Sequence, residues 1–153
     1  MNIFFTSTCP VKSAEYLDNK RCIKMLLESA QLLCTAINVH GGKAPYKTSH
    51  LNHPSNVWCR ATKANWDWLF SHYLALCSEY TRRYGKIHKS SLIQSELLSQ
   101  RHLIPDGELT PFANCARNLS KGVDYTHEKD VTLAYQLYLS DRWETDAREP
   151  EWT

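Results

Sequence analysis

Lys24, Glu28, Gln31 and Thr35 follow one another at steps of four, three and four, which sets them on one line along a helix. Their apolar neighbours Leu27 and Cys34 draw that line toward the edge of burial. A carboxylate at such an edge, next to a cation, is a common construction for a general acid/base or for a group that stabilises an iminium. Glu28 and Lys24 are therefore the first candidate catalytic residues, with Gln31 beside them for substrate contact. An exposed Lys–Glu pair four residues apart has the same spacing and contributes only about 0.3–0.5 kcal/mol. Burial decides between the two readings.

A second group lies in the middle of the chain. His50-Leu51-Asn52-His53-Pro54 is followed by Trp58 and Arg60. Two histidines three apart suggest a metal, but no Cys or carboxylate stands at a ligand-like spacing, and zinc needs three or four ligands. No metal and no cofactor is expected. Asn52 or His53 is expected instead to contact a ligand or to cap the helix that Pro54 enters. Arg60, Lys63, Arg82, Arg83, Lys86, His88 and Lys89 gather toward the two ends of the following helix, with Trp66, Trp68, Tyr80 and Tyr84 between them. Cations beside aromatics can grip phosphates and stack a base, as proteins that bind flipped or single-stranded nucleotides do. Trp58 and Trp68 are the candidate stackers, and Arg60, Lys63, Arg83, Lys86 and His88 the candidate phosphate ligands. Charge agrees in part: residues 43–89 carry +6 and residues 141–153 carry −3, although the whole chain is only +2. A solvated helix surface would show the same charges.

These side chains need helices to place them. Asn2-Ile3-Phe4-Phe5 is a short apolar run, either an edge strand or a buried arm. Pro10 opens a short helix to about Leu17, and Asp18 or Asn19 caps the next. From Lys20 to about Val39, Ile23, Leu26, Leu27, Ala30, Leu33, Cys34 and Ile37 form one apolar face, and Gly41-Gly42 ends the helix. Residues 43–56 read as a loop. A long helix follows, from near Ser55 or Thr62 to Tyr84, stopped by Gly85, with Trp66, Leu69, Tyr73, Leu76, Cys77 and Tyr80 inward. Ser90 to Gln100 is a weaker helix. Thr110-Pro111 predicts a helix over 112–119, whose Asn114 and Arg117 are available to line a pocket. Asp130 caps a last helix to Ser140, with Val131, Ala134, Leu137 and Tyr138 inward, and the tail from Arg142 is an extended strap anchored by Trp143 and Trp152.

This is an all-α pattern: a single-domain bundle of five or six helices over 1–153, with a short extended N-terminal segment and residues 141–153 as the strap. With 153 residues, 42% of them apolar, the chain can bury a core. No uninterrupted apolar run approaches the roughly 18 residues of a membrane span, and no signal peptide is visible. The six cysteines are scattered without a C-x-x-C pair, as fits a reducing cytoplasm.

The chain resembles a family of small bacteriophage proteins in K-M-L-L-E-S-A-Q-L-L (Lys24 to Leu33), N-H-P-S-N-V-W-C-R (Asn52 to Arg60), E-Y-T-R-R-Y-G-K-I-H (Glu79 to His88) and T-P-F (Thr110 to Phe112). That family usually carries His where this chain has Arg21. It is in turn similar to the pyrimidine-dimer DNA glycosylase (endonuclease V) family, over Tyr16 to Lys20, the helix with L-L-E-S-A-Q, and N-H-P. The second resemblance implies a small all-α enzyme that excises a DNA base with an N-terminal amine and a helix-borne glutamate, and cuts at the abasic site. The glutamate would be Glu28. Asn2 is too large for ordinary methionine removal, so the amine would be that of Met1. An α-amine, with an ordinary pKa of about 7.7–8.0, is a competent nucleophile; Lys24 is the alternative. The expected partner is DNA, in the cytoplasm of the host if the chain is phage-encoded. A nucleotide-binding or nucleotide-modifying protein, including a sponge for a nucleotide signal, would use the same cations and aromatics. A non-catalytic protein that binds a host factor would need neither Glu28 nor the amine.

Overall fold

A computed structural model describes residues 1–153. Six helices carry the chain: α1 (Pro10–Glu15), α2 (Asn19–Val39), α3 (Pro54–Ala61), α4 (Lys63–Tyr84), α5 (Gln94–Ser99) and α6 (Val131–Thr145). Strands β1 (Arg117–Asn118) and β2 (Val123–Asp124) pair antiparallel in a two-residue ribbon, Arg117 opposite Asp124. The expected all-α architecture is present, and α2 lies along α4 with α1 and α3 packed at their sides.

Local signals end most of these helices where the sequence places the ends. Gly41 (φ 87°) closes α2 and Gly85 (φ 65°) closes α4, both in the left-handed region that L side chains avoid. The His53 side chain accepts from Ser55 N at the start of α3, and Asp130 accepts from Leu133 N at the start of α6. The long middle helix is two helices. Thr62, in extended geometry, breaks it, and its hydroxyl caps α4 by accepting from Asn65 N.

The buried face of α2 differs from the expected one. Ile23 and Leu27 are 38% and 41% exposed, whereas Met25, Ser29, Leu32 and Ala36 are buried, so burial is turned toward the Glu28 side of the helix. Within α2 an 18-residue window has a mean hydropathy of 1.3, enough by length and composition to cross a membrane. It is 61% buried inside the protein, which makes it the core helix of the bundle.

The α-helix expected over 112–119 does not form. Thr110 is held instead by Asn65, whose Oδ1 accepts from Thr110 N (2.9 Å) and whose Nδ2 donates to Thr110 Oγ1 (2.8 Å). Phe112 then stacks on Phe5 at 4.3 Å, and Cys115 N donates to the Tyr135 hydroxyl (3.0 Å). These long-range partners hold the segment in place of a helix and let it bury a ring. Helix α6 runs five residues past Ser140, with Tyr135 and Leu139 in the core and Leu137 half-exposed. The strap expected over 141–153 is therefore only residues 146–153, where Trp152 Nε1 donates to Tyr16 O (2.9 Å); Trp143, on the last turn of α6 itself, donates from Nε1 to Asp18 (2.9 Å).

The N-terminal run is a buried arm rather than a strand. Ile3 to Thr6 are covered on all sides, and Phe5 is in contact with Trp58, Trp68, Phe112 and Tyr135 at centroid distances of 4.3–5.9 Å. Ser13 Oγ donates to Phe4 O (2.7 Å), and Gln136 Nε2 to Thr6 O (2.9 Å).

His72 on α4 is buried under α1, its Nδ1–H donating to Pro10 O (3.0 Å) and its ring stacked on Trp68. Burial pushes its pKa down to about 4 from an ordinary 6.5. The unfolded chain takes up a proton that the folded chain refuses, so the stability this group supports is full above pH 6.5 and is lost as pH falls toward 4. Denaturation series from pH 7 to 4 should show that loss, on the order of 2–3 kcal/mol for this residue. His72→Asn, which keeps a donor for Pro10, should flatten the slope.

Candidate active site

The arm leads to a cavity of about 590 Å³ between its own first residues, the Glu28 face of α2, the start of α3 and the segment around β1. The first residue of the arm lies over α2. The Met1 α-ammonium is 3.6 Å from Glu28 Oε1, with the two side chains 2% and 15% exposed. Glu28 Oε2 is buried and has no hydrogen-bond partner. A buried carboxylate oxygen left unpaired costs on the order of 1–3 kcal/mol, an expense that structural ion pairs are arranged to avoid.

Lys24, one turn before Glu28, is exposed and lines the same cavity, as does His53. His53 Nδ1 accepts from Ser55 N, which leaves Nε2 to carry the proton of the neutral ring. Burial, then the charge of the N-terminus, then His50, hold its pKa below the ordinary value. The opposite wall comes from Asn114, Arg117, Thr126 and Tyr138. Arg117 is exposed and has no carboxylate partner, so two free cations, Lys24 and Arg117, border the cavity that holds Glu28.

The other sequence candidates lie elsewhere. Trp58 and Trp68 are core residues, 6% and 7% exposed and packed edge-on against each other, so their faces are not available to a base. Arg83 is buried: it pairs with Glu79 (2.9 Å) and donates to Leu17 O (2.7 Å) and Glu15 O (3.3 Å), closing the junction between α1 and α2. Lys63 pairs with Asp106 (2.9 Å), and Arg60 donates to Leu51 O (2.6 Å). His88 Nδ1 accepts from Ser90 N to start the turn that follows, and Lys86 is exposed beyond the end of α4. Gln31 and Asn52 are solvent-accessible but do not line the cavity. The basic middle of the chain therefore does not close around Glu28. Arg21 is not at the cavity either; it is a buried ion-pair partner of Asp18 (3.2 Å) and Asp146 (2.8 Å), tying α2 to the strap. Asn2, Thr126 and Tyr138 are cavity residues that no sequence spacing announces.

The sequence model of the pyrimidine dimer DNA glycosylase family matches residues 1–92, more than half of the chain and the part that contains Met1, Lys24, Glu28 and His53. The chain belongs to that family. Membership carries a DNA glycosylase-type function, with DNA as the substrate. No curated protein and no solved structure matches the chain. The cavity wall from Asn114 to Tyr138 lies beyond the residues matched by the family.

Arg83 and Lys86 separate structural from surface cations. Arg83→Ala should lower the unfolding free energy by about 1–3 kcal/mol, because it leaves Leu17 O and Glu15 O without their donor, while Glu79 keeps Arg82 (2.7 Å). Lys86→Ala should leave the melting temperature unchanged within error.

Proposed function

We propose that the chain excises a base from DNA through the α-amine of Met1, with Glu28 as the acid/base partner. The observation that carries this reading is the terminal amine 3.6 Å from Glu28 Oε1, in a cavity where the other carboxylate oxygen has no partner. Family membership supports the glycosylase part of it. In this mechanism the free amine attacks C1′ of the deoxyribose, and the bond from C1′ to the base breaks. The base leaves with the electron pair and takes up a proton. Opening of the sugar then gives an imine between Met1 and C1′, protonated to the iminium. Glu28, as carboxylate, stabilises that cation and in this mechanism accepts a proton from C2′, which expels the 3′ phosphate and cuts the strand. Hydrolysis of the imine returns the amine. Lys24 and Arg117 are suited to hold the phosphates on either side.

Borohydride reduces such an imine to a stable amine, so the wild-type chain should become cross-linked to duplex DNA containing an abasic site or a pyrimidine dimer. Peptide mapping should place the adduct on Met1. Glu28→Gln should lower turnover by about 100-fold or more. An uncleaved N-terminal extension should abolish trapping, whereas Lys24→Ala should weaken DNA binding and still trap. An adduct on Lys24, or trapping unaffected by the extension, would rule out Met1 as the nucleophile.

The phosphate assignment has its own measurement. Lys24→Ala and Arg117→Ala should each reduce the slope of log K against log salt by about 0.9 in duplex binding, with little change in melting temperature.

A further inference from the structure

The amine is useful only if the first residue is held in place, and a terminal residue is ordinarily free to fray. Its neighbour removes that freedom. Asn2 Oδ1 accepts from Ile3 N (2.8 Å), from Tyr135 OH of α6 (2.9 Å) and from Ser55 Oγ of α3 (3.2 Å), while Asn2 Nδ2 donates to Cys115 O (3.3 Å). The amide orientation is fixed by chemistry: a backbone N–H can only donate and a carbonyl can only accept, so the oxygen must face Ile3 and the nitrogen Cys115. Three separate parts of the fold thus meet on the side chain next to the amine. Ser55 also ties this clamp to the cavity, because its backbone N–H donates to the His53 ring.

We infer that Asn2 is the positioning residue for the terminal amine: its amide sets the register of the arm so that the amine, and not the next backbone group, stands against Glu28. This rests on the amine reading above. One residue of extended chain spans about 3.3–3.6 Å, as large as the distance from amine to carboxylate, so a slip of one residue removes the nucleophile. Asn suits the position because it offers both a donor and an acceptor. Asp would face Cys115 O with a second acceptor, and Leu would leave Ser55 Oγ and Cys115 O without their partner and Tyr135 OH with Ala113 O (3.2 Å) as its remaining acceptor.

The test uses Asn2→Leu, Asn2→Asp and Tyr135→Phe in the full chain, with mass spectrometry to verify that Met1 is still present. Single-turnover borohydride trapping on an abasic-site duplex is measured beside duplex affinity and melting temperature. Asn2→Leu should slow trapping by about 100-fold at saturating DNA, with affinity within about twofold of wild type, the signature of a misplaced reacting group. Asn2→Asp and Tyr135→Phe should fall between, since each removes only part of the hydrogen bonding around the Asn2 amide. If Asn2→Leu does not fold, the other two variants carry the same comparison. A wild-type chain that traps while all three variants trap equally fast overturns the role of Asn2 alone. A wild-type chain that forms no adduct overturns the amine reading together with it.

Discussion

The insertion of Phe5 between α3, α4, α6 and the segment after Pro111 is the contact on which the site depends. An aromatic ring removed wholly from water contributes several kcal/mol, and truncating one costs about 3–5 kcal/mol. Phe5 is four residues from the amine, and its ring is enclosed by four other aromatic rings. An arm anchored so firmly cannot withdraw without opening the core. The hydrogen bonds of Phe4 O to Ser13 and of Thr6 O to Gln136 then restrict sliding along its length. Hydrophobic burial supplies the energy, and the polar contacts choose one register.

Glu28 is the converse case. Most buried polar groups in the chain are satisfied, often several times over, as Asn65 and Arg83 are. Glu28 Oε2 is one of four buried side-chain polar atoms without a partner. The other three belong to neutral Ser and Asn side chains, for which the cost is smaller. The carboxylate meets the terminal ammonium through Oε1 alone, and the mechanism proposed above gives the second oxygen a partner in the substrate.

How much of this can be read from the sequence follows from the range of each interaction. Caps are local, so Gly41, Gly85, Asp130 and the His53-Pro54 start of α3 are legible. The line from Lys24 to Glu28 is legible for the same reason, since it depends only on the pitch of one helix. Trp58 and Trp68 are misread because an aromatic beside a cation looks alike in sequence whether it faces water or the core. The rings that cover them, Phe5 and Phe112, are more than forty residues away in the chain. The helix predicted after Thr110-Pro111 fails in the same way: a good local start signal is overridden by Asn65, which captures the capping residue itself. Of the cavity wall from Asn114 to Tyr138 only Asn114 and Arg117 are legible as pocket candidates, and those on a helix that does not form; nothing in the segment's composition says that it faces α2 across a cavity.

Electrostatics ties these corrections together. A carboxylate near DNA is repelled by the phosphates unless cations intervene within roughly a Debye length, about 10 Å at moderate salt. The sequence suggests that the +6 middle segment supplies them, but Arg83, Lys63 and Arg60 are committed to carboxylates and carbonyls of their own fold. The cations that remain free at the cavity, Lys24 and Arg117, come from outside that segment, one on α2 and one on the ribbon beyond the residues shared with the family. With the terminal ammonium they set three positive groups around one negative one. The local balance therefore favours a polyanion even though the chain as a whole is close to neutral, and in the mechanism proposed above it is the arrangement of charge, rather than its sum, that would let an acidic side chain act beside phosphates.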